Sequence, residues 1–169
     1  MLRRYGLQLP TEAQWEYATR AGTASPWSTG QYYSSLLGHA NLADRSWSRR
    51  TGQGKSHPEG LHPASLEWPE LDDGWPYTAP VGRCLPNAFG LHDVHGNVLE
   101  HVRDAFASYA LPARPGDGER SGGNPEVRVA RGGSFASPPS QVRSAYRFDN
   151  TPTLYFTSLG CRPSRAIQD

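Results

Sequence analysis

The side chains best suited to chemistry in this chain of 169 residues are its cysteines, histidines and carboxylates. Cys84 and Cys161 are too few and too far apart in sequence for a disulfide framework or a metal–thiolate site. We therefore predict that both thiols are reduced, that both pack as structural residues and that Cys161 is buried. Three histidines close in sequence to Glu100 could together bind an iron ion: His92, His95 and His101.

The composition describes the scaffold that must position these groups. With 18 Gly and 15 Pro, the chain has far more turn-forming residues than an average domain, which predicts mostly loop. Five Trp, eight Tyr and five Phe are too many for a disordered tract, so the loops must pack against a core. A chain of this length buries roughly 70% of its unfolded surface when it folds as one domain. We expect a single, ordered and irregular domain.

The charge pattern argues against two classes of partner. The formal net charge is +1, and the arginines are spread along the chain rather than clustered, so we expect no nucleic-acid interface. No apolar run approaches the length of a membrane span, and residues 1–10 lack the apolar core of a signal peptide. The sequence therefore predicts no membrane span and a cytoplasmic location.

One helix is clear from the sequence. In LPTEAQWEYATRAGT, residues 9–23, Thr11 and Gln14 have the spacing of a capping box, and Gly22 is a C-terminal stop. Residues 25–86 predict turns and short strands such as 79–82. Residues 87–104 predict a turn, a short strand, a tight turn and a second strand, and RVARGGSF begins another strand.

Five local patterns occur in the order typical of one protein family: LPTEAQWEYATRAGT, NAFGLHDVHGNVLEHVRD, RVARGGSF, VRSAYR and LGCRP. Together they resemble the formylglycine-generating enzyme (sulfatase-modifying factor) superfamily over nearly the whole chain. The resemblance implies an α+β, C-type-lectin-like fold that is loop-rich, with few short strands and one clear N-terminal helix. Residues 1–169 would form a single domain that lacks the leading segment of the family. A partner chain or an oligomer could complete that segment.

The same resemblance bears on catalysis. The enzyme that names the superfamily uses two cysteines after the RGGS motif to bind copper and activate oxygen, and these positions carry Ser137 and Val142 here. Neither a hydroxyl nor an isopropyl group can replace the soft thiolates that hold Cu(I). The histidine set is interpreted as structural, because His92 and His101 replace aromatic residues usual in the family and His95 lies in a turn. The alternative is an oxidoreductase that uses iron or a partner domain, similar to the sulfoxide synthases of ergothioneine biosynthesis.

Two structural calcium sites are implied by the resemblance. Calcium takes six to eight oxygen ligands, typically carboxylates and backbone carbonyls of irregular loops. The first site combines two side chains with two carbonyls: Asp93 and Glu100 with Gly96 and Val98. The second does the same across the long loop: Asn41 and Asp73 with Leu42 and Trp75. The alternative is that these polar side chains cap turns or lie in solvent.

The segment after RGGS carries the candidate binding surface. Residues 146–160, YRFDNTPTLYFTSLG, place several aromatic residues in an extended loop, and exposed aromatic patches commonly mark binding sites. Alternatively, Tyr155 and Phe156 fill the core. The layout resembles family members diversified by retroelements, which vary the residues after RGGS. By position the candidate ligand-binding residues are Phe135, Ser137, Ser140, Tyr146, Phe148, Asp149, Thr153, Tyr155, Phe156 and Ser158.

Four arginines are expected to hold this scaffold through charge-assisted hydrogen bonds: Arg131, Arg143, Arg147 and Arg162. The sequence as a whole predicts a non-catalytic, calcium-stabilised domain that binds a protein or a small-molecule ligand through its C-terminal display surface.

Overall fold

Short helices and strands separated by long loops make up the chain. The computed structural model describes residues 2–51, 68–151, 153 and 156–166. Within them the helices and strands are α1 (Glu12–Arg20), β1 (Ala40–Asn41), α2 (Arg45–Thr51), β2 (His95–Gly96), β3 (Leu99–Phe106), β4 (Asn124–Arg131), β5 (Phe148–Asn150) and β6 (Leu159–Cys161). The predicted α+β, loop-rich class with few short strands is confirmed. No helix in the described ranges has the length and apolar character needed to cross a bilayer.

Helix α1 begins at the capping box that the sequence predicts. Thr11 Oγ1 accepts the backbone N–H of Gln14 at 3.1 Å, and Gln14 Oε1 accepts the backbone N–H of Thr11 at 3.0 Å. The helix ends at Ala21, whose left-handed φ of 47° lets its N–H donate to the carbonyl of Tyr17. The helix therefore ends one residue earlier than predicted, at Ala21 instead of Gly22.

Helix α2 is not predicted by the sequence. Its N-terminal cap is Asp44, whose Oδ1 accepts the backbone N–H groups of Ser46 at 2.8 Å and Trp47 at 3.2 Å. Trp47 is buried and packs against Ala43, Phe135 and Ala136. The helix therefore forms around one cap and one buried ring rather than around an apolar periodicity.

The predicted strand at residues 79–82 is absent. The backbone N–H of Ala79 donates to Asn97 Oδ1 at 2.9 Å, and the carbonyl of Ala79 accepts from Asn97 Nδ2 at 3.3 Å. The Asn97 side chain therefore takes the place of a neighbouring strand at this position. Asn97 itself has a φ of 64° in the tight turn between β2 and β3.

A four-stranded sheet in the order β5-β4-β3-β6 supports the rest of the chain. Strand β3 pairs antiparallel with β4 and parallel with β6. Along β3, Glu100, Val102 and Asp104 are buried on one face, where Val102 packs with Trp15 of α1. His101 and Arg103 alternate with them and occupy the opposite face. Strand β4 ends at Arg131, so the RGGS motif forms the turn that leaves the strand.

Strands β1 and β2 form a parallel pair with an unusually close backbone approach. A Cβ placed on Gly96 would lie 1.9 Å from the carbonyl oxygen of Asn41. Gly96 also has a φ of 89°, and its neighbour Asn97 donates its backbone N–H to the same Asn41 oxygen at 2.9 Å. Only glycine can occupy this position without moving β1.

A buried group of charges joins α1 to β4 and to the segment that precedes β5. The Glu12 carboxylate accepts from Arg147 Nε at 2.6 Å, from Arg147 Nη2 at 2.9 Å and from Arg131 Nη1 at 3.2 Å. Glu12 is 1% exposed and Arg131 is fully buried. Tyr109 adds its hydroxyl to Glu12 Oε1, and the Arg147 guanidinium stacks over the Tyr109 ring. The predicted scaffold role of Arg131 and Arg147 is confirmed.

Candidate functional site

The turn after β4 brings together the two positions at which the resemblance places copper-binding cysteines. Gly132 and Gly133 both adopt positive φ, at 88° and 71°, and reverse the chain. A Cβ on Gly133 would lie 2.5 Å from Val142 Cγ1 and 3.3 Å from Ser137 Cβ. Ser137 and Val142 therefore converge on one point, and both are buried.

Neither of these two side chains offers a metal ligand of the required kind. Ser137 Oγ accepts the backbone N–H of Ser134 at 3.0 Å. Val142 belongs to an apolar cluster with Trp27, Leu36 and Leu71. A hydrogen-bonded hydroxyl and an isopropyl group thus fill the point at which these two side chains meet.

The side chain of His95 is hydrogen-bonded to the segment that follows this turn. Its Nδ1 lies 2.9 Å from the carbonyl oxygen of Val142, and a carbonyl can only accept, so Nδ1 carries the proton. Its Nε2 then accepts from the backbone N–H of Ser28 at 3.1 Å and faces Ser28 Oγ at 2.8 Å. Burial lowers the pKa of His95 to about 4, so the ring is neutral at pH 7. His95 is a structural residue that fixes the position of Val142.

The other two histidines do not join His95 in an iron site. His92 Nδ1 lies 2.7 Å from the carbonyl oxygen of Cys84, and His101 lies on the outer face of β3. In residues 2–51, 68–151, 153 and 156–166, no three side chains of His, Cys, Asp or Glu are grouped in a way that could hold a metal ion. The three histidines therefore lie in three separate surroundings.

The first predicted calcium set begins at Asp93, which is committed to a neighbouring loop. Asp93 Oδ1 accepts the backbone N–H of Cys84 at 3.2 Å, and Oδ2 accepts that of Gly82. Gly96 lies in β2, and Val98 lies in the turn before β3. Both oxygens of the Asp93 carboxylate therefore already have donors.

Glu100, the second carboxylate of that set, faces a guanidinium. Its Oε1 accepts from Arg162 Nη2 at 2.7 Å, and its Oε2 accepts from Arg162 Nε at 3.0 Å and from Trp15 Nε1 at 2.7 Å. This two-point pair confirms the predicted scaffold role of Arg162. Because the two carboxylates bind different donors and Arg162 supplies the positive charge, this set does not fit a calcium ion.

The members of the second predicted calcium set lie close together and are joined by hydrogen bonds. Asp73 joins its members, since Oδ2 accepts the backbone N–H of Leu42 at 2.9 Å and Oδ1 accepts that of Trp75 at 2.7 Å. Asn41 Oδ1 is buried and has no hydrogen-bond partner among the described residues. Burial, and then repulsion from Asp44, raises the pKa of Asp73 to about 7. Asn41 Oδ1 is therefore an oxygen that a hard cation could bind without displacing a hydrogen bond, whereas both Asp73 oxygens, like those of Asp93, already have donors.

Asp44 belongs to this acidic group and is missed by the sequence analysis. Its Oδ2 accepts the backbone N–H of Asp73, and burial raises the pKa of Asp44. Asp72 lies nearby and pairs with Arg49 at 2.8 Å. An Asp immediately before a helix is a recognisable cap signal, so DRSW could have identified Asp44 if α2 had been predicted.

The structure divides the ten candidate ligand-binding residues by exposure. Ser140, Asp149, Thr153 and Phe156 are exposed, and Tyr146 and Phe148 are half-buried, with ring centroids 4.7 Å apart. Phe135, Ser137 and Ser158 are buried, so a surface position is wrong for these three. Phe135 and Ser137 follow the tight turn after β4, and Ser158 immediately precedes strand β6. Tyr155 lies outside the described residues.

Arg143 differs from the other three scaffold arginines. It is exposed, donates from Nε to the carbonyl of Ser140 at 2.7 Å, and lies 5.9 Å from the centre of the Tyr146 ring. Arg143 therefore helps to shape the exposed surface rather than the core.

The two cysteines have opposite environments. Cys84 is buried as a packing residue, and burial, reinforced by nearby Asp93, raises the pKa of its thiol to about 12. Cys161 is exposed, so the prediction of a buried Cys161 is wrong. The physical reason is the place of Cys161 on β6, at the edge of the described sheet, where its side chain lines a groove.

Comparison with known proteins places these observations in a family. The sequence profile described as "Sulfatase-modifying factor enzyme 1-like domain" matches residues 3–167. The formylglycine-generating enzyme of Streptomyces coelicolor is 34% identical over 160 residues, which cover 93% of this chain and 46% of that protein. The inactive C-alpha-formylglycine-generating enzyme 2 of Mus musculus is 32% identical over 165 residues, covering 93% of this chain and 42% of that protein.

A solved structure shows the same fold. Treponema denticola variable protein 1 superimposes with a TM-score of 0.64 at 26% sequence identity, over 93% of this chain and 46% of that one. The chain thus spans less than half the length of these three proteins.

Proposed function

The chain belongs to the sulfatase-modifying factor enzyme 1-like domain family, and we propose that within this family it is a binding domain that performs no catalysis of its own. Its ligand would be a protein or a small molecule held by residues that follow the RGGS turn. One calcium ion at the Asn41–Asp73 site would stabilise the loops beneath that surface.

The observation that carries the proposal is the pair Ser137 and Val142. Both lie where their side chains converge beside Gly133, and both are buried. Copper-dependent oxidation of a thiol needs soft ligands at such a point, and this pair supplies none. The relative named as inactive in Mus musculus is consistent with a member of the family that does not catalyse.

The exposed side chains after the turn support a role in binding. Four side chains in this segment are exposed to solvent: Ser140, Asp149, Thr153 and Phe156. Asp149 belongs to β5, which lies at one edge of the described sheet. We refer to these four residues as the display surface. The likeness to Treponema denticola variable protein 1 supports a scaffold that tolerates different residues there.

Installing a thiol pair tests the proposal directly. We expect the wild-type chain to show no tight Cu(I) binding in competition with a chromogenic chelator, and the variant Ser137→Cys/Val142→Cys to gain it. Changes around a metal site that leave its ligands intact alter affinity about 10–100-fold, so two new thiolate ligands should raise it at least about a hundredfold.

The original Ser137–Val142 pair and the Ser137→Cys/Val142→Cys variant are best compared in a Cys161→Ser background, which removes the exposed thiol as a competing ligand. Stoichiometric copper or iron retained by the purified wild-type chain, or protein-dependent oxygen consumption with a thiol substrate, would overturn the non-catalytic proposal.

Calcium is expected to stabilise the chain through one site. At a free ion concentration of about a hundred times the dissociation constant, the free energy of unfolding should rise by roughly 2.7 kcal/mol relative to an EDTA-treated sample. Asp73→Asn should lose this increase, because the carboxylate that joins the Leu42 and Trp75 segments is removed. Urea denaturation with and without calcium measures the effect.

Asp149→Asn is the matched control, since Asp149 is an exposed carboxylate on β5 and should keep the full response. Identical unfolding curves for calcium-loaded and EDTA-treated wild type would exclude the calcium site. Binding of two ions per chain would instead show that the Asp93–Glu100 set also accepts calcium.

A further inference from the structure

A groove of about 1020 Å³ crosses the outer face of the four-stranded sheet. The strands contribute His101 and Arg103 from β3, Arg128 from β4 and Cys161 from β6. The N-terminal segment forms the other wall with apolar side chains: Leu2, Leu7 and Leu9. The groove contains neither the Ser137–Val142 pair nor any residue of the display surface, so it needs a separate explanation.

Cys161 and His101 occupy matching positions in the sheet. They are direct partners in the parallel pairing of β3 with β6, and neighbouring strands lie about 4.8 Å apart. Both side chains line the groove, which places a thiol beside an imidazole on the same face. Cys161 is exposed to solvent, whereas His101 is half-buried. Burial lowers the pKa of His101, so the ring is neutral at pH 7 and has a free nitrogen lone pair.

The groove also carries positive charge. Arg103 is neutralised, because its guanidinium pairs with Asp117 and with Glu119 at 3.1 Å. Arg128 donates from Nη1 to the carbonyl of Arg103 at 3.1 Å and has no carboxylate partner among the described residues. The guanidinium of Arg128 therefore adds a positive charge to the same groove that Cys161 lines.

We propose that Cys161 and His101 form a reactive thiol–imidazole pair that exchanges with small disulfides carrying carboxylate groups. The Cys161 thiol transfers its proton to the imidazole of His101, and the sulfur attacks one sulfur of the disulfide. A new bond forms between Cys161 and that sulfur, the original disulfide bond breaks, and the second half leaves as a thiolate that regains the proton. The entering disulfide is the only oxidant, and Arg128 attracts its carboxylates.

The reaction rates of two aromatic disulfides test this assignment. One probe, 5,5′-dithiobis(2-nitrobenzoate), carries carboxylates, and the other, 2,2′-dithiodipyridine, is uncharged. Replacing Arg128 with Gln should lower the ratio of their second-order rate constants at least about threefold, the effect of one unit charge several ångströms away in water. Salt at 1 M, where the Debye length is about 3 Å, should lower the same ratio in the wild type without any substitution.

His101→Gln should instead slow both probes by the same factor, because the imidazole acts on the thiol and not on the reagent. Arg143→Gln is the control for charge, since it removes an exposed arginine that does not line the groove. Cys161→Ser should abolish the reaction of the folded protein with both probes, because the remaining thiol, Cys84, is buried. The proposal is overturned if the ratio of the two rate constants stays the same both in Arg128→Gln and at 1 M salt. It is also overturned if His101→Gln reacts with both probes as fast as the wild type. None of these outcomes bears on the Ser137–Val142 pair.

Discussion

Replacing Glu12 with glutamine is expected to lower the free energy of unfolding by about 3–5 kcal/mol, the usual effect of removing one partner from a buried ion pair. Glu12 is the shared acceptor of Arg131 and Arg147, with N–O distances between 2.6 and 3.2 Å. Glutamine keeps the size of the side chain but leaves Arg147 without its carboxylate partner and Arg131 paired with Glu16 alone. Urea denaturation followed by tryptophan fluorescence measures the loss, since the chain has five Trp.

Glu126→Gln provides the matched control for this change. Glu126 is exposed on β4, its backbone N–H donates to Asn124 Oδ1 at 3.0 Å, and its carboxylate has no ion pair among the described residues. Its substitution should alter the free energy of unfolding by no more than about 0.5 kcal/mol. Equal effects of the two substitutions would show that the Glu12 pairs do not stabilise the folded state.

Gly96→Ala should be at least as damaging, with an expected loss of about 4 kcal/mol or more. Two costs add at this position. The left-handed conformation at φ 89° costs a residue with a Cβ about 1–2 kcal/mol. The added methyl group would also lie 1.9 Å from the Asn41 carbonyl oxygen, so β1 must move away from β2.

Gly90→Ala separates these two costs. Gly90 has a comparable φ of 80°, but a Cβ there would meet no atom within 4 Å. It should therefore show the conformational cost alone, and the difference between the two variants measures the steric contact. If both variants unfold at the same urea concentration, the close approach of β2 to β1 does not hold in solution.

The parts of the fold that sequence reasoning predicts are those encoded locally. The capping box of α1 is complete in the side chains of Thr11 and Gln14, so its position follows from spacing alone. The RGGS turn is equally local, because Gly132 and Gly133 supply two consecutive positive φ angles. The resemblance of five ordered motifs then indicates how these pieces are arranged.

The remaining features depend on contacts between distant segments. Helix α2 forms because Asp44 caps it and Trp47 finds a buried place against Phe135, which no pattern within residues 45–51 reveals. The exposure of Cys161 depends on the place of β6 at the edge of the described sheet, where the Cys161 side chain lines a groove.

The candidate sites show the same division. The sequence correctly brings Asn41, Leu42, Asp73 and Trp75 to one region, because the resemblance carries their long-range relation. It does not reveal that Arg162 occupies the acceptors of Glu100, since a guanidinium reaches its partner through the folded chain. Nor does it distinguish buried Phe135 and Ser158 from exposed Ser140 and Phe156.

The parallel pairing of β3 with β6 has a consequence for the synthesis of the protein. Leu99 pairs with Leu159, while β4, β5 and the whole RGGS turn lie between them in the chain. On the ribosome, β3 and β4 can pair soon after they emerge, but one edge of β3 stays open until residues 159–161 follow. Open strand edges are templates for aggregation. Until residues 159–161 are synthesised, this edge of β3 can therefore pair with another chain.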